Sequence, residues 1–241
     1  GIYYFNRQSF DDSINNYKRA ALIFNTIGEK IEYGKSETNL GETYLFICQY
    51  QNGIQSLENA KEIFQKLQNQ VEAAESLFLL AKIQLRIGDY KSFDKTFLDF
   101  NNLFRGDNIP ERPAAHLKFL TSLHKYEMKE DINCAALAGI ADVYLAQEDR
   151  VNYFEATSLL IDYYITKGEL QKAFERISDK NMEMVCNSNI YMEIEKLHLI
   201  GKLTLRDQAT YLESPIFYFD KAFNLMTELN VNETTSKILL E

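Results

Sequence analysis

Residues 40–60 read LGETYLFICQYQNGIQSLENA. A Leu-Gly pair stands four residues before Tyr44, a second aromatic and a glycine follow at Tyr50 and Gly53, and Leu57 and Ala60 close the stretch. Forty residues further on, LAKIQLRIGDYKSFDKTFLDF (80–100) keeps Leu80, the small Ala81, and the glycine and aromatic at Gly88 and Tyr90. Such self-similarity governs any reading of the fold, so it has to be followed along the whole chain. Stepping by forty from Leu40 gives Leu80, Leu120, Leu160, Ile200 and Leu240. A ring column runs through Phe24, Phe64, Phe104 and Tyr144 to Met184, with Asn224 as its exception. Another holds Phe10, Tyr50, Tyr90 and Leu170 but fails at Glu130 and Thr210, and a third holds Tyr4, Tyr44 and Tyr164, with Gln84, His124 and Thr204 as polar variants. The residue after each Leu is small at Gly41, Ala81, Thr121 and Gly201, against Ile161.

Punctuation repeats with the same period. Polar or glycine clusters divide each unit at Gln49–Gly53, Gly88–Asp89, Lys129–Asp131 and Lys167–Glu169. Others separate the units at Gly28–Lys30, Gln68–Gln70, Arg105–Pro113, Glu148–Arg150 and Asn187–Asn189. Between breaks, apolar residues recur at three- and four-residue spacing, as in Ile54, Leu57, Ala60, Ile63, Phe64 and Leu67, which is the period of an amphipathic helix. Each unit is therefore helix A, a short turn and helix B. The chain has 241 residues with only 10 Gly and 3 Pro, too few for a turn-rich sheet fold, and 46% of it is hydrophobic, enough for a sizeable core. The expected fold is all-α, a right-handed α-solenoid of about six helix-turn-helix repeats. Residues 1–104 form repeats one to three, 105–113 an inter-repeat loop, and 114–241 repeats four to six plus the start of a seventh, in one continuous array.

These residues resemble the tetratricopeptide repeat family in a forty-residue variety. The family pattern is Leu-Gly shortly before a Tyr in helix A, a Gly and an aromatic at the turn, and a small residue and an aromatic in helix B. The second unit carries it in Leu40, Gly41, Tyr44, Tyr50, Gly53, Leu57 and Ala60; the fifth keeps Tyr164, Gly168, Leu170 and Ala173. Departures are the absence of tryptophan, whose helix A position holds Leu77, Leu117 and Leu197, and an irregular sixth unit with a polar stretch from Thr204 to Glu213. There Ser214 reads as an N-cap and Pro215 as the first helical residue. A single helix pair cannot bury its own apolar face, so Gly41, Ala60 and Ala81 are expected where helices approach closely, and most of the 16 Phe and 15 Tyr should be structural. Arrays of this kind usually close in polar caps. Tyr4 and Phe10 are already in register, Asn230–Glu233 reads as a helix start and Leu240 falls on the Leu column, so a continuing array, with further domains in the same chain, is the expectation.

The resemblance implies that helix A residues facing the inside of the superhelix bind extended protein segments. By register these are Thr38, Asn39, Glu42 and Phe46, then Phe78, Lys82 and Arg86, then Lys118, Ser122, Lys125 and Tyr126, then Ser158 and Asp162, and finally His198, Lys202 and Arg206. Lys82, Arg86, Lys118, Lys125, Lys202 and Arg206 are basic in a chain of formal net charge −9. A basic, partly aromatic groove suits an acidic peptide through charge-assisted hydrogen bonds; the competing reading is a set of solvated charges whose stems cover apolar surface. The family's carboxylate clamp is represented only by Asn39.

Other chemistry finds little footing. His116, His124 and His198 lack metal-ligand spacing, and no phosphate-binding glycine loop or nucleophile elbow occurs, so no catalytic residue, metal or cofactor is expected. Cys48, Cys134 and Cys186 are odd in number and read as reduced, buried hydrophobes. The negative charge disfavours nucleic acid and anionic membranes, and Glu42, Glu155 and Asp162 interrupt any RNA-reading groove. Arg105-Gly106-Asp107 is an adhesion-type tripeptide better read as part of a hinge loop, and Asn232-Glu233-Thr234 matches a glycosylation pattern by chance. With no apolar run of membrane-spanning length and no leader-like start, a cytoplasmic location is expected. The function expected is a non-enzymatic protein- or peptide-binding scaffold, the alternative being a regulatory or sensor region of a multidomain signalling protein or transcriptional regulator.

Overall fold

A computed structural model describes residues 1–6, 9–104, 108–207 and 213–228. Arg105-Gly106-Asp107, the Asn232 motif, the helix start at Asn230 and Leu240 lie outside the described residues. Thirteen helices and no strand occur among those described. They are α1 (Ile2–Asn6), α2 (Phe10–Ile27), α3 (Lys30–Phe46), α4 (Tyr50–Lys66), α5 (Gln70–Arg86), α6 (Tyr90–Leu103), α7 (Glu111–Glu127), α8 (Cys134–Ala146), α9 (Arg150–Lys167), α10 (Leu170–Ile177), α11 (Lys180–Asn187), α12 (Ile190–Arg206) and α13 (Pro215–Glu228). The A helices α3, α5, α7, α9 and α12 begin at Lys30, Gln70, Glu111, Arg150 and Ile190, so each step is within one residue of forty. No helix is long and apolar enough to cross a membrane among the described residues.

The chain is all-α and divides into two compact units, Gly1–Leu120 and Thr121–Asn232. In each unit successive helices pack against their neighbours, as an α-solenoid requires. In the first, α3 packs on α2, α4 and α5; in the second, α12 packs on α13, α9, α10 and α11.

The reversals have one local cause. A residue in the left-handed region follows helix after helix at intervals of about twenty residues, or about forty between Gly88 and Lys129: Gly28, Cys48, Gln68, Gly88, Lys129, Glu148 and Gly168. At each, two backbone bonds close the helix end. Cys48 N–H donates to Leu45 O (3.1 Å) and Gln49 N–H to Tyr44 O (2.8 Å); Gln68 and Asn69 repeat this on Gln65 and Phe64, as Glu148 and Asp149 do on Leu145 and Tyr144. This double closure satisfies carbonyls that a helix end otherwise orphans. In several of these the next residue caps the following helix: Asn69, Asp89 and Asp149 accept N–H bonds from Glu72, Ser92 and Asn152.

Close approach within a helix pair rests on missing side chains. A Cβ on Gly41 would stand 2.4 Å from Leu57 Cγ, and one on Gly201 would stand 2.4 Å from the Phe219 ring. The buried core includes Leu57, Ala60, Phe64, Leu80, Leu120, Tyr144 and Leu160.

Several expectations need correction. Gly53 lies inside α4 instead of at a break, and a Cβ there would stand 2.8 Å from Ile83 Cδ1. The break after Arg105 stops before Glu111, and Pro113 sits in the first turn of α7, where a missing N–H costs nothing. The fifth helix B is split: Asp179 takes an extended backbone (φ −67, ψ 141) and its carboxylate accepts from Asn181 N–H, ending α10 and starting α11. Met184 is in consequence exposed rather than on a buried column. Thr204 is buried within α12, its hydroxyl donating to Ile200 O (2.8 Å). Cys186 is buried, and burial pushes its thiol up to about 12, whereas Cys48 and Cys134 are only half-buried.

A non-glycine residue in the left-handed region costs about 1–2 kcal/mol, partly offset by the entropy glycine loses on folding. Gln68→Gly and Glu148→Gly should each raise the unfolding free energy by about 0.5–1 kcal/mol in urea titrations. Gly41→Ala should lower it by about 1–3 kcal/mol through overpacking against Leu57; a neutral Gly41→Ala would contradict the contact as described.

Candidate functional site

Neighbouring A helices are tied by polar bonds. In the first unit Thr38 and Ser76 hydroxyls lie 3.0 Å apart between α3 and α5, and Lys35 Nζ is 3.6 Å from Glu72 Oε1. The strongest tie joins α5 to α7. Arg112 grips the Glu75 carboxylate with two prongs, Nε to Oε2 (3.1 Å) and Nη2 to Oε1 (3.3 Å), and His116 Nε2 stands 3.1 Å from Oε2. Burial opposes ionisation of Glu75, but the hydrogen bonds and charges of His116 and Arg112 outweigh it and hold the carboxyl at about 2. An ionised carboxylate only accepts, so His116 presents Nε2–H to it. The His116 ring is fully buried and stacks on Phe78, centroids 3.8 Å apart and planes 13° from parallel.

Phe78 is itself fully buried, which corrects its expected place on a partner-facing groove. The cause is α5, whose residues Leu77 to Leu85 are all buried, so this helix keeps no partner-facing stripe along that stretch. Lys82 is likewise corrected: it is 2% exposed, with Nζ 5.1 Å over the Phe78 ring. Phe46 belongs to an aromatic cluster with Phe10 (5.2 Å) and Phe5 (5.6 Å). Asn39 and Glu42 are half-buried, Thr38 is buried, and Arg86 and Lys118 are exposed.

In the second unit three residues of the expected groove come together. The Tyr126 hydroxyl of α7 donates to Asp162 Oδ2 of α9, and Lys202 Nζ of α12 donates to Asp162 Oδ1. Burial, and then the Asp162 carboxylate beside it, push the Tyr126 phenol up. Lys202 is thus neutralised within the array rather than presented as a bare cation. Lys125, His198 and Arg206 are exposed; His198 lies 5.9 Å from the Phe219 ring, and Ser122 and Ser158 are buried. A second knot holds the turn after α7: Asp131 accepts from Tyr163 (3.0 Å) and pairs with Lys167 (2.6 Å), bonds that keep its carboxyl below the usual range.

Of the six basic groove positions, two are thereby reassigned, Lys82 to the core and Lys202 to Asp162. Arg86 and Lys118 stay exposed in the first unit, Lys125 and Arg206 in the second. The Glu75–Arg112–His116 tie had no place among the expected residues. Its available signal was a lone carboxylate between Ala73-Ala74 and Ser76-Leu77 on an otherwise apolar helix face. No group of His, Cys, Asp and Glu able to hold a metal ion occurs among the described residues.

This arrangement of repeated helices is compatible with a tetratricopeptide-like family. No protein-family profile matches the chain. Among curated proteins, Tonsoku-like protein of Drosophila melanogaster is 26% identical over 88 residues, which is 36% of this chain and 6% of that protein. The chain therefore matches only a small part of the length of this relative.

A carboxyl whose folded pKa is depressed stabilises above its unfolded pKa, and that stability is lost as pH falls through the folded value. Glu75→Gln should cost about 2–3 kcal/mol at pH 7. The deficit relative to wild type should shrink between about pH 5 and pH 2 in urea titrations, as the wild-type carboxyl protonates. A deficit that stays constant with pH would remove Glu75 ionisation as its source.

Proposed function

We propose that this chain is a non-enzymatic, cytoplasmic scaffold of tetratricopeptide type that binds acidic protein segments along the concave, A-helix side of its array. The observation that carries this reading is the Tyr126–Asp162–Lys202 bridge. It fixes three successive A helices side by side while Lys125 and Arg206, on two of the same helices, stay exposed. A surface held rigid before binding loses little side-chain entropy when a partner arrives, and the exposed cations add steering and charge-assisted hydrogen bonds. In the first unit Arg86 and Lys118 supply the same chemistry on α5 and α7.

A second reading is a regulatory segment of a longer multidomain protein, restraining or sensing an attached domain. The small fraction of Tonsoku-like protein spanned by the match supports it, since that relative is a far longer chain. The two readings are compatible when the bound segment belongs to the same polypeptide.

Fluorescence anisotropy with a labelled twelve-residue Asp/Glu-rich peptide tests the scaffold. Lys125→Glu with Arg206→Glu, and separately Arg86→Glu with Lys118→Glu, should each weaken binding about three- to tenfold, and added salt should weaken it further. Binding that is absent, or indifferent to both pairs and to salt, would rule out the cationic A-helix faces as the site.

A further inference from the structure

Two B helices carry exposed apolar residues at positions where their repeat copies are polar, although α4 keeps Ile63 and an exposed Leu67 at the places of Ile23 and Ile27. On α2, Leu22 is 69%, Ile23 55% and Ile27 63% exposed. Lys18 and Arg19 are exposed one turn before Leu22 and Ile23 on the same side of the helix. Forty residues on, α4 holds Glu58, Asn59 and Glu62 in place of Lys18, Arg19 and Leu22. So the charge is reversed and a carboxylate stands where α2 exposes a leucine. The acidic residues of α2, Asp11 and Asp12, are confined to its first turn.

On α13, Ile216 is 68% and Phe223 59% exposed. At about 100° per residue, Ile216, Asp220, Phe223 and Thr227 fall within an arc of about 60°, whereas Lys221 points about 120° away from its centre. Aligned from their helix starts, α10 carries Gln171 and Glu175 at the places of Ile216 and Asp220, and Ser178, just past its end, stands at the place of Phe223. Polar exposed positions of one B helix have thus become a ring and a branched chain in the other, with one carboxylate, Asp220, set between them.

We propose that the α13 face of one copy docks on the α2 face of a second copy, Phe223 and Ile216 meeting Leu22, Ile23 and Ile27 while Asp220 pairs with Arg19 and Lys18. Each face supplies what the other lacks: a cationic rim on α2, an anionic one on α13, and apolar side chains between. The same surface does not meet itself, so the contact is heterologous. Two faces of this size belong to the small, weakly associating class of interface, and the contact forms at high protein concentration. It does not depend on the acidic-peptide reading, because no A-helix cation takes part.

Sedimentation equilibrium of the full chain over about 5–500 μM is the test, a range suited to a weak interface. The weight-average mass should rise with concentration. Arg19→Asp and Asp220→Arg should each cut association about tenfold by placing like charges face to face, and the double variant R19D/D220R should restore it to within about threefold of wild type. Leu22→Asn should also cut it, with helicity unchanged by circular dichroism since the residue is exposed. A wild-type chain that stays monomeric throughout, single reversals without effect, or a double variant that fails to recover would each overturn the contact. Acidic-peptide binding that persists in Arg19→Asp separates this outcome from failure of the scaffold reading.

Discussion

Most of the arrangement depends on ending a helix, turning and starting another within three residues, without leaving backbone groups unpaired. The left-handed residue accomplishes this. It aims its own N–H and that of its successor back at the last helical carbonyls, and at Asn69, Asp89 and Asp149 the successor also caps the next helix. Glycine takes the position at Gly28, Gly88 and Gly168, but Cys48, Gln68, Lys129 and Glu148 take it elsewhere. Strain of about 1–2 kcal/mol at each of those is outweighed by packing that only a tight reversal permits.

On that frame, the choice of side chain at one repeat position sets what each A helix can offer. Glu42, Lys82, Ser122, Asp162 and Lys202 occupy equivalent places. In the first unit Lys82 is swallowed by α5 and its ammonium settles over an aromatic ring; in the second, Asp162 and Lys202 complete each other one repeat apart. Where the position resolves its charge internally, the face is stiffened. The cations that remain exposed sit a turn away.

The forty-residue period, the Leu columns and the close approach at Gly41 were legible in the sequence because each is fixed by local periodicity and size. Ser214 was legible as a cap for the same reason, and its hydroxyl accepts from Phe217 N–H (3.4 Å). The burial of Phe78 and Lys82 was not, since it depends on what neighbouring helices cover, and no single repeat contains that information. The split of helix B at Ser178-Asp179 was hidden by apolar spacing that continues through it, although an aspartate followed by a helical run is a start signal. The Asp162–Lys202 pair could have been found by asking which opposite charges stand forty residues apart in one column.

The ties between A helices span sequence distances fixed by the repeat: 38 residues for Thr38 and Ser76, 37 and 41 for Arg112 and His116 on Glu75, 36 and 40 for Tyr126 and Lys202 on Asp162. None waits for a distant part of the chain. A polypeptide leaving the ribosome can therefore close each tie as soon as one further helix pair has emerged, so folding proceeds vectorially and little apolar surface is left bare during synthesis.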